Sequence, residues 1–280
     1  MSEQAELFFQ QLKSAVETDQ LKLPTLPDVA LSIRKAVDNE HHSAQQIADI
    51  ISHDPSLAAR LLQLANSPLY RCRGEIDNLQ TAVTRLGVRI VRDLVTTLAL
   101  RQMFETDSPV LDQHFRELWT CSVKIAAICR MLASELEHLD TEQALLAGLI
   151  HNIGALPIIV LAERDPALID DRQRLHQLTL QLQNSVGEMI LKFWRFPESL
   201  IRVVGEFSDV DVSKREADYV DLVRIALLYN ALETSASEPD QDQRMNQALE
   251  HLGIRHDSKL LSMDERRHSI DATVQSLMVL

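Results

Sequence analysis

The sequence predicts an all-α protein of about a dozen helices. Three observations carry that expectation. Helix-favouring residues (Leu, Ala, Gln, Glu, Arg) dominate, while aromatics make up 4% and there are only 7 glycines in 280 residues. A sheet-rich domain draws on more aromatics and more turn glycines. Apolar residues recur every three or four positions, and helix-start signals follow one another along the chain. No segment reads as a strand.

The elements can be taken in order. Residues 1–20 are expected to form an N-terminal helix. Ser43-Ala44-Gln45-Gln46 is a capping box ahead of Ile47, Ile50 and Ile51, in which the Ser hydroxyl and the Gln amide satisfy each other's backbone N–H groups. Asp54-Pro55 sets an N-cap before a proline at the first helical position, and Leu57, Leu61 and Leu64 follow at helical spacing. Asn66-Ser67-Pro68 ends that helix. A short helix opens at Asp77-Asn78 and stops at Gly87. A longer one follows, with Ile90, Val91, Leu94, Val95 and Leu98 on one face. Phe115 to about Leu136 and Thr141 to about His151 are the next two. From Asp171, the residues Leu175, Leu178, Leu182, Val186, Met189 and Phe193 mark a long amphipathic helix. Pro197 starts another. Beyond that, helices are expected at 216–234 and in the last fifteen residues, with an exposed polar loop around 235–245.

Net charge is −13 with a pI near 5.2. An acidic chain is poorly suited to phosphate polymers or anionic membranes, which need a basic footprint. One stretch runs the other way. Arg60 to Arg101 holds seven arginines against Glu75, Asp77 and Asp93. Within it, Arg85, Arg89, Arg92 and Arg101 are candidates for binding a partner or an anion. Three cysteines (Cys72, Cys121, Cys129) form no CxxC pair and read as reduced thiols. No run reaches the roughly 18 uninterrupted apolar residues of a membrane span. These features predict a soluble cytoplasmic protein with no membrane partner.

Two blocks are more specific. Leu23-Pro24-Thr25-Leu26-Pro27, the run Ile51-Ser52-His53-Asp54-Pro55-Ser56-Leu57-Ala58-Ala59-Arg60-Leu61-Leu62-Gln63-Leu64-Ala65-Asn66-Ser67, and Ala82-Val83 with Leu86-Gly87 form the first. Ala147-Gly148-Leu149-Ile150-His151-Asn152-Ile153-Gly154, with Phe193-Trp194-Arg195-Phe196-Pro197 later, forms the second. Together they resemble the HDOD family of bacterial signalling domains, a branch of the HD superfamily of metal-dependent phosphohydrolases. The resemblance covers residues 20–210. It implies an HDOD-like fold: an N-terminal helical subdomain (21–108) packed on a degenerate HD-like core (109–210). Residues 211–280 are then a C-terminal helical extension.

In an active HD enzyme a divalent metal generates hydroxide and neutralises phosphoryl charge. The resemblance implies that the His-Asp pair supplies two of its ligands and that other helices supply further His and Asp. This chain departs from that set almost everywhere. His151 is kept, but Asn152 stands for the Asp, and an amide oxygen is a poorer ligand for a hard cation than a carboxylate. Cys121 falls near the ligand His of the preceding helix, and its stripe with Ile125, Ile128 and Leu132 predicts core packing. Gln183 falls where relatives carry His, Phe207-Ser208 where many keep a His pair, and Asn230 near a final Asp. His151 is expected to donate a hydrogen bond into the packed interior. No cofactor is expected.

Other candidates are weaker. His53-Asp54 repeats the His-Asp pair, but Asp54 is needed as a cap. His41-His42 reads as a polar loop. Residues 77–104 have the outline of a helix-turn-helix, but the apolar face of their second helix needs burial. No GxSxG, Walker loop or GxGxxG is present. The reading adopted is a non-catalytic regulatory protein that binds regulatory or signalling proteins. Two alternatives stay open. One is a phosphohydrolase with a divalent metal on rearranged ligands near His151, including Glu188 or Glu206. The other is nucleotide, anion or nucleic-acid binding through Arg60–Arg101.

Overall fold

A computed structural model describes residues 2–18, 20–21, 24–38, 43–70, 74–208, 217–234 and 263–279. Every regular element among them is a helix: α1 Glu3–Glu17, α2 Asp28–Asp38, α3 Ala44–Ser52, α4 Pro55–Ala65, α5 Leu79–Leu86, α6 Val88–Gln102, α7 Pro109–Ala133, α8 Thr141–Ile150, α9 Ala155–Ala162, α10 Pro166–Ile169, α11 Arg172–Phe193, α12 Glu198–Glu206, α13 Tyr219–Thr234 and α14 Met263–Met278. The expected His41-His42 and 235–245 loops, and Cys72, lie outside the described residues.

The caps read from the sequence form. Ser43 and Gln46 close a reciprocal capping box on α3, and the Asp54 carboxylate accepts from Leu57 N–H at 3.0 Å. Helix α7 begins at Pro109, a turn and a half or more before the expected Phe115. Ser108 caps it and Pro109 sits in the first turn, a start signal that the apolar spacing concealed.

The chain divides into two compact units. One comprises Met1–Thr25 with Phe104–Leu260, the other Leu26–Met103 with Leu261–Leu280. This differs from the four consecutive segments expected. Helix α1 joins the first unit because its buried residues Ala5, Leu12 and Ala15 belong with α9 and α11. The final seventy residues are not one extension, since α13 belongs to the first unit and α14 to the second.

In the second unit, the Asn66 amide holds the chain after α4. Its Nδ2 donates to Ile76 O and its Oδ1 accepts from Ile76 N–H, both at 2.8 Å. Only a group with a donor and an acceptor makes both bonds. Ile76 is thereby fixed in a small apolar cluster with Ala65 and Ala82.

In the first unit α8 is the central element. It is apolar all round and buried along almost its whole length, against α7, α12 and α13. Thr141–Ala162 is apolar and long enough to pass for a membrane span, yet 89% of its most apolar window is buried inside the fold. Glu142, 6% exposed, is neutralised by Arg130 of α7 at 3.2 Å. At the end of α11, Phe196 N–H bonds back to Leu191 O and Arg195 N–H to Lys192 O. This is a Schellman cap with Arg195 at φ 55°. It turns the chain so that Trp194 Nε1–H donates to Pro24 O at 2.9 Å.

Two glycines set how closely the helices approach. A Cβ on Gly148 would lie 2.3 Å from Ala126 Cα, in the backbone of α7. A Cβ on Gly154 would lie 2.0 Å from Gln183 O, in the backbone of α11. Neither neighbour can move aside without moving a helix. At Gly187 the nearest atom is a Val204 side-chain carbon at 3.2 Å, which can shift slightly. Gly154→Ala should therefore cost about 3 kcal/mol or more, and Gly187→Ala about 1 kcal/mol or less. Urea melts of the two variants beside the parent protein check that order.

Candidate functional site

The HD-like segment sits where α8 ends, in the turn His151–Gly154 between α8 and α9. Both residues of the pair are buried, His151 at 4% and Asn152 at 5% exposure. His151 Nδ1 lies 2.7 Å from Gly148 O. A carbonyl only accepts, so Nδ1 carries the proton. The ring meets Phe207 edge to face, with centroids 5.4 Å apart at 90°. Burial lowers the His151 pKa from 6.5 to about 4, against the opposing pull of the Gly148 carbonyl. The imidazole is neutral at physiological pH.

Asn152 Oδ1 accepts from Ser122 Oγ–H at 2.8 Å, a contact between α8's end and α7. Ser122 is fully buried and its hydroxyl also lies 2.9 Å from Leu118 O. A neutral amide suits this partner in either orientation, since it can also turn to donate to Oγ while Ser122 donates to Leu118. A carboxylate could only accept.

Ser122 is the functional residue that sequence reasoning missed. Cys121, expected near this position, is its neighbour and turns elsewhere. It does not pack into the core with Ile125, Ile128 and Leu132. It is partly exposed and lines a cavity between α7 and α11. The cue available was that a polar Ser stood beside the apolar stripe, one residue out of the register chosen.

The other expected positions fall in different surroundings. Gln183 is 7% exposed on α11, its backbone against Gly154. Phe207 covers His151, whereas Ser208 is exposed and accepts from Asn184 Nδ2 at 2.6 Å. Asn230 is half-buried on α13. Glu188 is paired with Lys192 at 2.6 Å and Glu206 with Arg202 at 2.9 Å. Among the described residues, no three His, Cys, Asp or Glu side chains gather closely enough to hold a metal. The residues present do not fit the divalent ion that the HD resemblance implies.

The basic stretch is similarly dispersed. Arg85 donates to Gly74 O at 3.1 Å and so holds the loop before α5. Arg92 grips the buried Asp93 at 2.7 and 3.1 Å. Arg89 is exposed and Arg101 half-buried. Val91 and Asp93 to Leu100 are all buried, which leaves α6 no broad face to lay in a nucleic-acid groove.

Helices closing on a buried His-Asn pair define a degenerate HD-type helical domain. Residues 23–209 match the HDOD domain, and the chain belongs to that family. A Shewanella amazonensis structure provisionally named a metal-dependent phosphohydrolase is 29% identical, with a TM-score of 0.84 over 99% of this chain and 100% of that one. An HDOD domain protein from Geobacter sulfurreducens is 23% identical, with a TM-score of 0.65 over 96% of this chain and 95% of that one. A Marinobacter aquaeolei protein named for signal transduction is 22% identical at the same TM-score, and the match covers 98% of this chain and 66% of that one. A Treponema pallidum protein of unassigned function is 23% identical over 65% of this chain, which spans 37% of that longer protein.

The buried imidazole makes stability depend on acid. Its folded pKa, about 4, lies below 6.5, so the unfolded chain binds the proton first as pH falls. The His151 contribution to stability is fully present above about pH 6.5 and is lost between there and about pH 4, by about 3 kcal/mol in all. His151→Gln should remove that component of the slope. Urea midpoints of both proteins across this window measure it.

Proposed function

We propose that this HDOD protein is a non-catalytic regulator that acts by binding signalling partners. The observation that carries the reading is the state of the His151–Asn152 pair. His151 Nδ1 is engaged by Gly148 O and the Asn152 amide oxygen by Ser122, and the residue beside the histidine offers a neutral amide where a hard cation wants a carboxylate. Phe207 lies against the imidazole. A hydrolytic site needs ligands converging on an ion and an open position for water and substrate. The carboxylates that a rearranged site would recruit, Glu188 and Glu206, are paired with Lys192 and Arg202. The hydrolase name of the Shewanella relative belongs to that protein, and shared fold does not transfer chemistry. The family contains proteins named for signal transduction, which supports the regulatory reading. Its partners are signalling proteins. The cytoplasm is the compartment this reading places it in.

Metal analysis and a phosphatase assay test the proposal together. The purified chain should hold well under one equivalent of any divalent metal and release no phosphate from mono- or diesters. One equivalent of metal with turnover abolished by a chelator would overturn the reading. Asn152→Asp, which rebuilds the HD pair in sequence, should not restore a metal site. It should instead cost about 1–3 kcal/mol by setting a charged carboxylate in a buried position where the Ser122 hydroxyl is the donor at hand. The cost should shrink as pH falls and the carboxyl takes up its proton. Metal content and urea melts at pH 7 and pH 5 read both effects.

A further inference from the structure

A cavity of about 360 Å³ opens between α7 and α11, lined by residues that the regulatory reading leaves unused. Its volume is within the range of small-molecule sites, roughly 300–1,000 Å³. One wall is apolar, made by Leu118, Ile159 and Leu175. The Cys121 thiol adds to that wall, because burial pushes its pKa up and keeps it uncharged. Thr179 contributes no free proton, since its hydroxyl donates to Leu175 O at 2.8 Å. The polar side carries His114, Arg172 and His176 against a single carboxylate, Glu117.

With Arg172 and Glu117 balanced, the cavity is formally neutral in a chain of net charge −13, and its two imidazoles add polar nitrogen beside the guanidinium. Arg172 is held by Glu117 at 3.2 Å, but the two side chains are 59% and 51% exposed. An ion pair so open to water is weak and readily exchanged. A guanidinium released from it presents a planar fork suited to a carboxylate or phosphate.

We infer that this cavity binds a small organic anion, its acid group on Arg172 and His176 and its apolar body on Leu118, Ile159 and Leu175. The anion takes the place of the Glu117 carboxylate, so Glu117 acts as an internal competitor. The inference adds a ligand to the regulatory reading and depends on that reading only for what the ligand is used for.

Calorimetric titration of the full chain with phenyl phosphate, benzoate and inorganic phosphate tests it. At least one aryl anion should saturate at one equivalent, and inorganic phosphate, lacking the apolar body, should bind at least tenfold more weakly. The aryl anion that binds more tightly names the acid group. Arg172→Gln should weaken binding at least tenfold, while Glu117→Gln, which frees Arg172, should strengthen it severalfold. Bound anion should also slow alkylation of Cys121, followed by peptide mass spectrometry. Failure of both aryl anions to saturate, or affinity unchanged in Arg172→Gln, overturns the site and leaves the regulatory reading standing. Phenyl phosphate bound but hydrolysed overturns the regulatory reading and leaves the site.

Discussion

The first unit depends on two places where backbone meets backbone. At Gly148 the axis of α8 comes within side-chain reach of the α7 main chain, and at Gly154 the start of α9 does the same against α11. Interiors are packed nearly as densely as organic crystals, so a single extra carbon at either point has nowhere to go. The turn between the two glycines is consequently rigid, and His151 and Asn152 are held in it. Gly148 has a second part in the arrangement: its carbonyl accepts the His151 Nδ1 proton. Close packing and polar satisfaction are properties of the same four-residue turn.

That coupling explains how a histidine and an asparagine can lie in so apolar an interior. A buried polar group is expensive only when it lacks a partner. Asn152 has Ser122, reached because α8 lies tight on α7. His151 stays neutral, which avoids the far larger cost of a buried charge. An active metal centre would need more than this pair: carboxylates and imidazoles converging on one ion, and room for water.

Much of the architecture was legible because it rests on local chemistry. The Ser43–Gln46 box, the Asp54-Pro55 start and the Gly87 break each act over a few residues, and each formed as read. The start of α7 at Ser108-Pro109 was hidden because Val110 and Gln113 obscure the apolar spacing of the first turns, although the cap itself was in plain sight. The places of the two terminal helices in these units were not legible. That α1 belongs with α9 and α11, and α14 with the segment beginning at Leu26, follows from contacts across more than a hundred residues. At the site, burial of His151 followed from its apolar neighbours in sequence, whereas Ser122 as the partner of Asn152 required knowing the rotation of α7.

Neighbouring residues of α7 serve the two places described in this unit. Successive helical residues differ by about 100° around the axis. Ser122 faces inward to Asn152, while Cys121, one step back, faces the cavity shared with α11. The same helix therefore seals the vestigial pair with one side chain and lines an open pocket with the next. On α11, Thr179 and Gln183 stand one turn apart on the same stripe: Gln183 lies with its backbone against Gly154, and Thr179 is at the pocket. The close contacts at Gly148 and Gly154 and the pocket beside them therefore belong to one packed unit, tied together by α7 and α11.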